Sequence, residues 1–131
     1  MIGNRVVARF RDGRLVKGVT TDFGPARDFF HVAPEDGGAP VTVRHADLKA
    51  VFFVRDFAGD PGHQKKNEFE AGKLAIGKKL RVLFADGELL VGTTQGYQPG
   101  RPGFFLIPAD PSGNTERCYV VSAATKEVGF L

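Results

Sequence analysis

One cysteine in 131 residues, one methionine and no tryptophan leave little of the chemistry that usually marks a site. With Cys118 alone, an internal disulfide and any multi-thiolate metal centre are excluded. It lies in the apolar stretch Cys118-Tyr119-Val120-Val121, the setting of a buried and inert thiol. No apolar run approaches the roughly 20 residues a membrane-crossing helix needs. The opening residues 1–5 pass straight into a strand-like pattern without a secretory hydrophobic region. These absences make a reduced, cytoplasmic setting with no membrane partner the expectation. A block of one charge is missing too. The net charge of +3 divides into +2 over residues 1–57, zero over 58–77 and +1 over 78–131. Basic and acidic side chains are interspersed, so the chain lacks the single-sign stripe of many nucleic-acid binders.

What the chain has in quantity is turn residues, 17 glycines and eight prolines. In so short a sequence they favour short strands over long helices. Hydrophobic residues at 42% and charged residues at 25% describe a globular chain, not a disordered one.

It also nearly repeats itself. Phe10-Arg11-Asp12-Gly13-Arg14-Leu15-Val16-Lys17-Gly18 returns 74 positions later as Phe84-Ala85-Asp86-Gly87-Glu88-Leu89-Leu90-Val91-Gly92. Between residues 4–36 and 78–110, 11 of 33 positions are identical without a gap. An internal repeat decides architecture before any single-site motif does.

Each copy reads as five strands. Val6, Ala8 and Phe10 share one face of the first strand, as Leu80, Val82 and Phe84 do in the second copy. Asp12-Gly13 and Asp86-Gly87 follow, a strong hairpin signal. The next strand, about 14–22 or 88–96, carries a central glycine, Gly18 or Gly92, where a strand bends or another backbone comes close. Third strands are expected at 30–33 and 104–107, fourth strands at 41–43 and 118–121, and fifth strands at 50–54 and 127–131. Single helical turns are expected at 45–48 and 122–125. The resulting expectation is an all-β chain of two tandem five-stranded small barrels. They span residues 1–57 and 78–131 and are joined by a Gly- and Lys-rich linker at 58–77.

The run Val6-Val7-Ala8-Arg9-Phe10-Arg11-Asp12-Gly13-Arg14-Leu15-Val16-Lys17-Gly18 resembles the first motif of Sm-like proteins, which are small barrels of the SH3-like kind. The likeness covers both copies. It implies edges that pair with neighbours, as Sm-like folds do when they build rings, and an RNA pocket formed by an Asp and an Asn after the bent strand. Here that stretch begins Asp22-Phe23 in one copy and Gly96-Tyr97 in the other, and no matching Asn follows. The two-copy pattern also resembles a group of uncharacterised bacterial proteins, which implies a bacterial cytosolic origin and no activity.

The sharpest candidate binding feature is a loop present twice, Phe23-Gly24-Pro25-Ala26-Arg27 and Tyr97-Gln98-Pro99-Gly100-Arg101. An arginine beside an aromatic can stack a base or grip a phosphate. Equally, the aromatic can plug a barrel mouth while Arg27 and Arg101 donate to loop carbonyls. His31, His45 and His63 have no metal-ligand spacing, and Asp12 and Asp86 sit in turn contexts. No serine has a base in a recognisable arrangement. The sequence therefore predicts no catalytic residues, metal or cofactor. It predicts a binding or scaffold module for a protein partner or a second copy. RNA or single-stranded DNA at Phe23, Arg27, Tyr97 and Arg101 is the alternative, and a nucleotide-type anion the next.

Overall fold

The two Asp-Gly turns start the same local structure twice. Gly13 and Gly87 take positive φ, 95° and 94°, which the turn demands and a glycine supplies without strain. Asp12 Oδ1 accepts from the Arg14 N–H at 3.0 Å, and Asp86 Oδ1 accepts from the Glu88 N–H at 3.0 Å. The structure, a computed structural model, describes residues 3–57, 77–110 and 113–131. Around these turns run β1 (Asn4–Phe10) with β2 (Leu15–Thr20), and β6 (Lys78–Phe84) with β7 (Leu89–Thr94). The chain continues through β3 (Phe29–Pro34), β4 (Val41–Arg44) and β5 (Leu48–Val54) in the first half. The second half has β8 (Gly103–Pro108), β9 (Thr115–Val121) and β10 (Thr125–Phe130). Single 3-10 turns, His45–Asp47 and Ser122–Ala124, precede β5 and β10.

The chain is all-β, as expected, but its strands do not form two separate closed barrels. They make one open ten-stranded sheet in the order β10-β6-β7-β8-β9-β5-β1-β2-β3-β4. Neither half closes on itself because the open side of β5 is taken by β9 of the other half, not by β4. Ala50 faces Val120, Val51 faces Tyr119 and Phe52 faces Cys118 across this antiparallel seam. The expected linker, residues 58–77, lies outside the described residues except for Gly77.

The seam also shares side chains between the two cores. Side chains alternate across a strand, so β5 and β9 each serve both faces. Val51, Phe53, Tyr119 and Val121 join the first core with Val6, Ala8 and Phe30. Ala50, Cys118 and Val120 join the second with Leu80, Val82 and Phe84. Cys118 is buried. Phe52 packs against the second core from the first half. Each core therefore depends on side chains from the other half.

Both halves bring a neighbouring backbone close at the expected glycines. A Cβ on Gly18 would lie 2.1 Å from the Ala33 carbonyl oxygen, and one on Gly92 would lie 2.2 Å from that of Ile107. β2 and β7 thus approach β3 and β8 more closely than any other residue would allow.

Candidate functional site

The repeated loop divides its residues between core and surface. Phe23, just after β2, inserts into the first core. Its ring lies 5.1 Å from Phe30, 5.3 Å from Phe53 and from Tyr119, and 5.5 Å from the His45 imidazole, on which it stacks. Tyr97 packs edge-on to Phe104 at 4.8 Å and to Phe130 at 5.9 Å. Arg27 and Arg101 stay exposed and hold their own turns. Arg27 donates to the Asp22 carbonyl at 3.4 Å and lies over Phe29, 5.8 Å from its centroid, not over Phe23. Arg101 Nε donates to Gln98 Oε1 at 2.9 Å. The structure brings neither arginine onto its loop aromatic, and the two aromatic faces are spent on packing.

Asp22 organises the same loop. Its carboxylate accepts from the His31 backbone N–H at 2.9 Å and from the Thr20 hydroxyl at 3.2 Å, and meets His31 Nδ1 at 2.6 Å. The His31 side-chain bond, followed by its backbone bond, holds the Asp22 carboxyl below its usual range. Among the described residues no group of three or more His, Cys, Asp or Glu could hold a metal.

Two residues take places in the structure that sequence reasoning did not assign them. His45 begins the 3-10 turn, with its ring 5.6 Å from both Phe30 and Tyr119, and its buried Nε2 has no hydrogen-bond partner. Burial pushes the imidazole pKa down, opposed by the Asp28 charge. Ser122 stands at its place in the second half, so the repeat itself conceals it.

Lys49 is the other. It is the extra residue of a bulge in β5, between Leu48 opposite Phe10 and Ala50 opposite Arg9. A bulge re-aims a side chain, and this one reaches the second half. The Lys49 ammonium lies 4.7 Å over the Phe84 ring, donates to Asp86 Oδ2 at 2.7 Å and also bonds Glu88. Burial alone would lower its pKa, but the bonds to Asp86 and Glu88 outweigh burial and raise it. The signal was present as Lys126, the bulge residue at the same place in β10.

Among the described residues the sheet has two edges, one at each end: β4 pairs only with β3 and β10 only with β6. The strand β5 shows what covering does. Phe53 and Val54 are 4% and 8% exposed beneath β9, while Phe130 and Leu131, their counterparts by position, are 58% and 66% exposed. Phe130 meets the Tyr97 ring at 5.9 Å, and the Lys78 ammonium lies 5.6 Å from its centroid.

A family model of a family of unknown function, DUF6982, matches residues 3–131, nearly the whole chain. The chain belongs to that family. No curated protein and no solved structure matches it. The match gives the fold a family and leaves the function to be argued from the edges and loops. Among the described residues, no helix is long and apolar enough to cross a membrane.

Proposed function

We propose that this protein is a non-catalytic binding module that works by adding strands at its free sheet edges, taking a protein partner or a second copy. In this reading each half is a small Sm-like barrel whose last side is supplied by a neighbour, once inside the chain and once from outside it. One observation carries the proposal: β5 and β9 are joined as a neighbouring pair, while their counterparts β10 and β4 each lack that neighbour among the described residues. An unpaired strand offers a row of backbone donors and acceptors, and strand addition is a common route to peptide recognition.

The exposed Phe130 and Leu131 support the same reading, since packing alone gives no reason to leave two large apolar side chains uncovered at one edge. In the repeated loops Asp22, Arg27, Gln98 and Arg101 are already engaged in structural bonds, which favours binding over catalysis.

The test is a capture from native lysate, with nuclease treatment as the control, using the native chain and a Gly129→Glu variant. A Cβ at Gly129 meets nothing within 4 Å, so the substitution leaves the fold intact while placing a charge where Phe52 stands in the internal seam. A protein retained after nuclease by the native chain and lost by Gly129→Glu is expected. Retention that disappears with nuclease contradicts the edge reading, and a partner indifferent to Gly129→Glu contradicts binding at the β10 edge. Nucleic acid captured through Arg27 and Arg101 would support the loop alternative instead.

A further inference from the structure

The internal seam contains a recognition rule, and the free edges break it in an informative way. The seam seats the bulge lysine of β5, Lys49, in a receptor made by the β6–β7 turn: the Phe84 ring, Asp86 and Glu88. On the free β10 edge the bulge lysine is Lys126, set between Thr125 opposite Phe84 and Glu127 opposite Leu83. Lys126 is exposed and, among the described residues, has no carboxylate partner.

A second copy of this chain would present its first half to that edge, with β4 in the role of β9. The receptor there is Phe10, Asp12 and Arg14, and it is already filled. The Arg14 guanidinium lies 4.9 Å over the Phe10 ring and its Nε donates to Asp12 Oδ2 at 2.7 Å. Arg14 thus occupies in the first half the seat that Lys49 takes in the second. A second mismatch lies along the strand. Val121 of β9 is buried in the first core, and its counterpart at the end of β4 is the exposed Arg44. Pairing with a second copy would push a guanidinium into an apolar site and set Lys126 against two arginines, with Asp12 already committed. Charges placed this way at an edge act against self-pairing.

We propose that the β10 edge takes the acidic sheet edge of a different chain, one whose neighbouring turn offers a carboxylate pair to Lys126, and that it rejects a second copy of this protein. This rests on the edge-binding reading above and names its partner chemistry. It also assigns Lys126 as the residue that determines specificity, and Arg14 and Arg44 as the residues that keep the chain from propagating.

The experiment uses the 131-residue chain in four forms, compared by size-exclusion light scattering at tens of micromolar. The forms are native, Lys126→Glu, an Arg14→Glu/Arg44→Val double variant, and that double variant with Lys126→Glu added. The double variant rebuilds on the β4 side the acidic turn and the valine that the internal seam uses. All three positions are exposed, and an unchanged circular dichroism spectrum verifies the fold of each. The expected result is a monomeric native chain, a double variant that assembles head to tail, and a return to monomer when Lys126→Glu is added. A native chain that already assembles, and is dissolved by Lys126→Glu, overturns the proposal by making the second copy the partner, while the edge reading stands. A double variant that assembles equally well with Lys126→Glu also overturns it and again spares the edge reading. A double variant that stays monomeric overturns both.

Discussion

At the scale of single residues, the glycines separate backbone contact from open edge. Gly18 and Gly92 face carbonyl oxygens at 2.1 Å and 2.2 Å from where a Cβ would lie. Gly18→Ala or Gly92→Ala should therefore cost about 2–3 kcal/mol, read from the shift in urea midpoint. Gly129→Ala, with open space around it, should stay within about 0.5 kcal/mol of native. His45 gives a pH prediction. Burial depresses its folded pKa below the unfolded value of 6.5, so the folded state resists the proton. Its contribution is complete above pH 6.5 and is lost as pH falls below it. Urea midpoints at pH 7 and pH 5.5 should fall for the native chain and fall less for His45→Phe. Equal slopes in the two proteins would exclude His45 as the cause.

At the scale of elements, the hairpins, the close strand approaches and the 3-10 turns were legible because each follows from local chemistry. Asp-Gly sets the turn, a central glycine admits the neighbouring backbone, and period-two apolar residues set the inward face. The pairing of β5 with β9 was not legible, since an edge strand and a seam strand have the same alternation until a neighbour is known. Phe53 and Phe130 are both phenylalanines at matching positions, and only the strand beside them makes one buried and the other exposed. In the candidate loop, sequence alone left open whether Phe23 and Tyr97 face a ligand or pack, and the structure packs both against the cores. Lys49 was hidden by a bulge, which shifts a side chain without altering the apolar pattern around it. Its role predicts that Lys49→Ala destabilises the protein by about 1–2 kcal/mol, a range set by charge-assisted hydrogen bonds to partly exposed carboxylates. The Lys49 bond, first, holds the Asp86 carboxyl below its usual value of 3.8. That share of the stability is therefore present above pH 3.8 and lost as pH falls further, and Lys49→Ala should lose less than the native chain on going from pH 5 to pH 3.

At the scale of the whole molecule, the seam makes two similar halves into one cooperative structure. Tyr119 and Val121 come from the second half and complete the first core, and Phe52 crosses the other way. Thermal unfolding should accordingly show a single transition, and Tyr119→Ala should lower it as a whole. Two transitions, with only one moved by Tyr119→Ala, would mean that the halves fold separately. The central claim is that β5 and β9 are sealed by each other while β10 and β4 remain open to a partner. Residue-resolved hydrogen exchange of the isolated chain tests it most directly. The account predicts that amides of β5 and β9 exchange last, at the rate of global unfolding, and that those of β10 and β4 exchange at least about a hundredfold faster through local opening. Protection of β10 equal to that of β5 would contradict it, because the edge would then already be covered.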